Sequence, residues 1–346
     1  MKDFSEIDKN FKIEKTIGKS DMKFYNALCY PFEINGVFYE NGKFRRMPEN
    51  VARSVSEGVY ALHANTAGGR IRFRTNSTSI AINAKMSGIG KMPHFTLCGS
   101  AGFDLYSGNE YIASYVPPFD ITDGYEGTVK FDTAITRDIT INFPLYSDVN
   151  ELYIGLDNDS DVCEPLPYKT EKPIVYYGSS ITQGGCASRP GNTYQSIISR
   201  EFNADYVNLG FSGNARAEKE ISNYIKDLPM SVFVYDYDHN APTIEHLAST
   251  HERMLLEIRE ANPTLPIIVM SRPKYRLNND DIARFNIIKK TYENAISQGD
   301  KNIYLIGGPA LMRIAEENGT VDGCHPTDLG FFSMAKEIIQ VLNRIL

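Results

Sequence analysis

From Pro173 onward the chain alternates short apolar runs with amphipathic stretches, and that alternation leaves little choice of architecture. The runs 174–178, 206–211, 232–237, 267–271 and 303–306 are compact and rich in Val, Ile and Tyr, as strands buried on both faces must be. Between and after them, helices are expected near 193–202, 215–226, 245–261, 280–297 and 329–346. Strands and helices in strict alternation specify a mostly parallel sheet covered on both faces. The first half has a different period. Arg70-Ile-Arg-Phe-Arg-Thr, Ser79-Ile-Ala-Ile-Asn and Asp138-Ile-Thr-Ile-Asn-Phe alternate polar with apolar, and turn signals such as Asn35-Gly, Asn41-Gly, Gly68-Gly, Pro117-Pro and Asp123-Gly punctuate them. A β-sandwich or jelly roll is expected there, with few helices. Glu164-Pro-Leu-Pro-Tyr-Lys-Thr-Glu-Lys-Pro173 reads as a linker, which gives domains 1–165 and 172–346 in a chain of 346 residues.

Composition excludes several classes of function. Acidic residues outnumber basic ones by 43 to 36, with no basic run, so nucleic acid is not an expected partner. Cys29, Cys98, Cys163, Cys186 and Cys324 are scattered without metal-ligand or disulfide spacing and read as reduced thiols. The segment Met1 to Lys9 has no signal-like apolar stretch and no membrane-length apolar run occurs. The expected location is the cytoplasm, or outside the cell if a leader has been removed.

In open α/β sheets, chemistry collects beyond the carboxyl ends of the strands. After the first parallel strand comes Gly178-Ser-Ser180-Ile-Thr-Gln-Gly, a small-residue turn that exposes a serine or merely caps a helix. After the second comes Gly210-Phe-Ser-Gly213-Asn, where a glycine N–H can approach a ligand. After the third comes Asp236-Tyr-Asp-His239-Asn240, whose side-chain amide could serve an oxyanion or simply make a bend. Before the last helix stands Asp322-Gly-Cys-His325-Pro326. Pro326 suits the first helical turn, His325 then lies on the preceding loop, and Asp322 either fixes its ring or caps the helix.

Together these four segments resemble, in order, the blocks of the SGNH (GDSL-like) hydrolase superfamily. The resemblance implies a flavodoxin-like α/β/α domain with Ser180 as nucleophile and His325 as base. Asp322 would complete the triad, and Ser180 N–H, Gly213 and Asn240 would form the oxyanion hole. Two blocks depart from the family pattern: the usual Gly-Asp-Ser is Gly178-Ser179-Ser180, and His239 competes with Asn240 for the third block. Gly102-Phe-Asp-Leu-Tyr106 resembles the mark of the amino-terminal β domain of one subgroup, whose members look like carbohydrate O-acetyl esterases, with acyltransferases among their relatives. Read physically, the same five residues make a strand corner with a packing tyrosine.

The resemblance implies no cofactor, a small-molecule or carbohydrate ester as substrate, no membrane partner and room for a homo-oligomer. An α/β-hydrolase is disfavoured because no glycine stands two places after Ser180. A metal-dependent deacetylase would need Asp236, Asp238, His239 and His246 or His251 at a defensible spacing. His246 and His251 are instead expected on the solvent face of a helix. A non-catalytic carbohydrate-binding protein would have no reason to retain Ser180, Gly213, Asn240, Asp322 and His325 together.

Overall fold

The computed structural model describes residues 21–346, and the amino-terminal segment searched above for a leader lies outside the described residues. Two antiparallel sheets come first. One runs Met22–Asn26, Asp148–Asp157, Ser79–Ser87, Gly124–Lys130 in spatial order; the other runs Val162–Cys163, Arg70–Thr75, Arg137–Asn142, Phe103–Ser107, Glu110–Tyr115. Because side chains alternate across a strand, Ile80, Ile82, Ala84 and Met86 of one sheet meet Ile71, Phe73, Ile139 and Ile141 of the other in a single buried cluster. The expected sandwich is present.

The carboxyl-terminal half carries a five-stranded parallel sheet in the order Tyr206–Gly210, Ile174–Gly178, Val232–Asp236, Ile267–Met270, Ile303–Ile306. Val175, Tyr177, Phe233 and Tyr235 pack under the helices Lys219–Lys226, Ile244–Ala261 and Asn279–Ser297. The alternate residues Ile174, Tyr176, Val232 and Val234 pack under Tyr194–Phe202 and Asp328–Leu342. Both faces are thereby covered, as the apolar runs required.

Three local expectations are corrected. Helices Glu49–Val55 and Glu57–Leu62 interrupt the β-rich half. Ser56 caps the second by accepting from the Val59 N–H, and Ala52 and Val59 pack into the α/β core. His251 is not on the solvent face. It is 1% exposed, stacks on Tyr235 with ring centroids 4.6 Å apart, and sets Nδ1 3.0 Å from Thr291 Oγ1. Burial pushes its pKa down to about 3, so it packs as a neutral aromatic ring, which a polarity pattern does not anticipate. Finally, Phe103–Ser107 is no strand corner but an internal strand of its sheet. Phe103 and Leu105 face the sandwich core, while Asp104 and Tyr106, one residue out of phase, face the α/β half.

That outward pair begins a broad junction. The Asp104 carboxylate accepts from the Gly191 N–H at 2.7 Å and pairs with Arg189 at 3.2 Å. Arg70 pairs with Asp205 and lies over the Tyr206 ring, 3.9 Å from its centroid. Met47, Ala67, Phe95, Leu145 and Tyr146, all from the first half, are buried in the two clusters that flank the parallel sheet. We propose 1–165 and 172–346 as units that are separable in the sequence but not in stability. A fragment beginning at Lys169 is expected to expose those apolar faces and remain molten, with dye binding and no near-ultraviolet dichroism; a cooperative unfolding transition in that fragment would refute this.

Candidate active site

Three adjacent parallel strands end level with one another. Gly178 pairs in register with Gly210 on one side and with Asp236 on the other, so the segments that follow all leave the same edge of the sheet. Ser180 begins the single helical turn Ser180–Gln183, with the Ser179 side chain capping it through the Ile181 N–H. That turn packs directly on the neighbouring strand. A Cβ on Gly210 would lie 2.1 Å from the Gln183 nitrogen, so only glycine fits there.

The nucleophile candidate meets its base candidate across 145 residues of sequence. Ser180 Oγ lies 3.0 Å from His325 Nε2, and His325 Nδ1 lies 2.7 Å from Asp322 Oδ2. The other oxygen of Asp322 accepts from the Cys324 N–H at 2.9 Å and the His325 N–H at 2.7 Å. Burial works against the Asp322 charge, but these hydrogen bonds overcome it and hold the pKa at about 2. Asp322 caps no helix. The last helix starts at Asp328 behind Thr327 as its cap, which also places Pro326 before the first helical turn, not within it.

The second strand end supplies Gly213 in a left-handed conformation, φ +71°, with open space where a Cβ would point. Gln183 fixes this turn: its Oε1 accepts from the Ser212 N–H at 3.0 Å, and its amide donates to Asn65 Oδ1 at 3.1 Å. The third strand end turns through Asp238–Asn240, anchored by Asp238, which is buried between Arg272 and Arg284. The Asn240 side-chain oxygen and His239 Nε2 are both buried with no hydrogen-bond partner among the described residues. His239 sets Nδ1 3.8 Å from Cys324 Sγ, and burial, with Arg272, Lys274 and His325, pushes its pKa down to about 3. It is therefore a neutral ring beside the Asp322–His325 loop.

Several supporting residues escaped the sequence reading because their partners are distant along the chain. Buried Thr182 donates to Asp236, whose carboxyl is pushed well up by burial. Tyr146 reaches from the β half to donate to the Ser180 carbonyl at 3.2 Å. His94, also from the β half, tilts against His325 with ring centroids 5.7 Å apart. Cys186 follows the nucleophile turn, and burial and Asp322 push its thiol up to about 12. The residues of the metal-site reading do not converge: Asp238 is spent on two arginines and His251 is sealed under Tyr235.

Arg46 is the most consequential of these supports. It is buried without a carboxylate and donates to four carbonyls: Asn65 at 2.6 Å, Leu62 at 2.8 Å, Asn208 at 3.2 Å and Gly210 at 2.6 Å. Burial pushes its pKa down to about 10. Arg46→Met would strand those acceptors next to the Gly213 turn. The expected cost is about 3 kcal/mol or more in a denaturant titration, together with a fall in turnover. An unchanged midpoint would remove Arg46 from this role.

Residues 171–343 match the model of the GDSL-like lipase/acylhydrolase family, and residues 22–162 match that of the amino-terminal GxDLY region of SGNH-hydrolase-type esterases. A Bacteroides ovatus protein described as a GDSL-like lipase superposes with a TM-score of 0.84 at 27% identity, covering 94% of this chain and 98% of its own. The salicylyl-acyltransferase of a tetracycline biosynthetic pathway gives 0.78 at 18% identity, over 95% and 98%. A family two carbohydrate esterase from Cellvibrio japonicus gives 0.62 at 13% identity, over 94% and 98%. A comparison with the curated proteins finds no match.

Proposed function

Since this chain belongs to the GDSL-like lipase/acylhydrolase family and is an esterase-type enzyme, we propose that it hydrolyses O-acyl esters, O-acetyl groups on carbohydrates above all, through Ser180, His325 and Asp322. One observation carries the reading: the continuous chain from Ser180 Oγ to His325 to the Asp322 carboxylate at 3.0 and 2.7 Å. His325 Nε2 takes the hydroxyl proton as Ser180 Oγ attacks the ester carbonyl. The Ser180 and Gly213 N–H groups and the Asn240 amide hold the developing oxyanion. The tetrahedral intermediate expels the sugar alcohol, which takes the proton back from His325. Water, deprotonated by the same ring, then releases the acid from Ser180. Asn240 is preferred to His239 because the Asp236-x-x-x-Asn240 form that ends this strand resembles the corresponding block of a known subgroup.

The carbohydrate substrate draws its support from fold likeness to proteins named as carbohydrate esterases, among them an acetyl xylan esterase from a rumen Butyrivibrio. Cleavage of acetyl esters is expected to exceed that of octanoyl esters. A panel of acetylated sugars and longer acyl esters, scored by acid released, tests this, and faster octanoyl turnover would contradict it. The likeness to a salicylyl-acyltransferase favours a second reading, in which an alcohol replaces water in the final step. Partition of product between free acid and transferred ester in the presence of acceptor alcohols separates the two.

A further inference from the structure

We propose that His94, Cys186 and His325 form a binding site for a soft divalent cation, Zn²⁺ foremost, and that occupation of this site switches the esterase off. One potential ligand atom from each of the three residues lies within 4.8 Å of the other two. Tetrahedral zinc with bonds of 2.0–2.3 Å holds its ligands roughly 3.4–3.8 Å apart, so the three atoms need to close by roughly 1 Å at most to form the set. Two imidazoles and a thiolate are also the donors that zinc selects over the hard cations.

The site is tied to the proposed chemistry through one nitrogen. His325 Nδ1 is held by Asp322 at 2.7 Å, so the ring can offer only Nε2 to a metal. A ligating histidine whose other nitrogen is held by a carboxylate is the arrangement that raises ligand basicity and fixes ring orientation in zinc sites. Nε2 is also the atom 3.0 Å from Ser180 Oγ that must accept the proton. A cation there occupies the lone pair the base needs, while water fills the fourth position. Binding releases one proton, from the Cys186 thiol to solvent, since both imidazoles ligate in the neutral form. The Asp322 carboxylate next to this group favours the added positive charge.

The assembly is built from both halves of the chain. His94 comes from the β half, Cys186 from the turn after the nucleophile, and His325 from the loop before the last helix. None of the three is adjacent to another in sequence, which is why cysteine spacing alone did not reveal the site. The inhibitory consequence rests on the proposed role of His325; the binding itself does not.

The experiment has two readouts on the full chain. Ester hydrolysis is titrated with zinc chloride and restored with a chelator. Separately, cobalt(II) is added and the thiolate-to-cobalt charge-transfer band is recorded, which reports binding without any turnover. Wild type is expected to lose activity and to show the band. His94→Gln and Cys186→Ser are each expected to weaken inhibition roughly tenfold or more relative to their own metal-free rates, and Cys186→Ser to abolish the band. Absence of the band in wild type, or equal zinc sensitivity in both variants, would overturn the site. An enzyme that binds cobalt through Cys186 yet hydrolyses no ester would instead overturn the functional reading and leave the site standing.

Discussion

Ser180→Ala is expected to remove ester hydrolysis almost completely while leaving the unfolding midpoint within about 0.5 kcal/mol of wild type. The side chain is small, and its one side-chain partner among the described residues is the His325 ring. It lies at the rim of the site at 9% exposed, where loss of a hydroxyl opens no sizeable cavity. Catalytically the loss is of a different order. Without Oγ no acyl-enzyme can form, and removal of a serine nucleophile from such a triad costs roughly 10⁴–10⁶-fold, the remainder coming from the oxyanion donors and binding. Ser179→Ala should behave in the opposite sense. It removes the cap to the Ile181 N–H and so costs stability of about 1 kcal/mol, with activity retained in the folded fraction. Labelling with an organophosphonate followed by peptide mass spectrometry assigns the nucleophile directly. Full turnover in Ser180→Ala, or an adduct on Ser179, would reverse the assignment.

The contrast between these neighbouring serines shows what a sequence can carry. Three short segments just beyond predicted strands and a fourth before the last helix, in an order that resembles the family's blocks, picked out Ser180, Gly213, Asn240, Asp322 and His325. A parallel sheet forces such segments to one edge, and the registers Gly178 with Gly210 and Gly178 with Asp236 bring them level. Strand positions were legible for the same reason, since a strand buried on both faces has to be continuously apolar. What could not be read was whatever depends on a partner far away in the chain. Nothing local to Arg46 shows that it donates to the Asn208 and Gly210 carbonyls, 162 and 164 residues on. His251 looks solvent-facing until Tyr235 stacks on it. The GxDLY stretch looks like a packing corner because nothing local shows that Asp104 accepts from Gly191, 87 residues on.

That junction changes what the β half means for the reaction. Asn65 orients Gln183, Gln183 orients Ser212 beside Gly213, Tyr146 holds the Ser180 carbonyl, and His94 lies against the base. Directly or through Gln183, these contacts link β-half side chains to groups that would touch substrate. Preorganised donors act only if they are fixed before the charge develops, so rigidity across the junction is a catalytic property as well as a structural one. Substitutions at the junction should therefore lower turnover before they unfold the protein.

His325→Ala and Asp322→Ala are expected to differ in the size of their effects. Loss of His325 removes the one base hydrogen-bonded to Ser180 Oγ among the described residues and should bring activity close to that of Ser180→Ala. Loss of Asp322 leaves a base, now less well oriented, and should be roughly one to two orders of magnitude milder. In the wild type, Asp322 stays ionised down to about pH 2, so it does not titrate across the working range. Because that pKa is depressed, the stabilisation Asp322 gives the loop is fully present above the ordinary carboxylate range of ~3.9 and is lost only as pH falls through about 2. Any pH dependence of the rate above that range therefore does not come from Asp322. In Asp322→Ala the plateau should drop because the ring is no longer held by a carboxylate. Asp322→Asn divides the two duties. Its side-chain oxygen can still accept from the Cys324 and His325 N–H groups and keep the loop closed. Its amide, however, donates to Nδ1 and drives the ring proton to Nε2, where no proton can then be accepted from Ser180. Asp322→Asn should thus be the more stable and the less active of the two Asp322 variants. Rate profiles with thermal midpoints for all three variants provide the test. An Asp322→Asn enzyme more active than Asp322→Ala would show that Asp322 does not set the tautomer of His325.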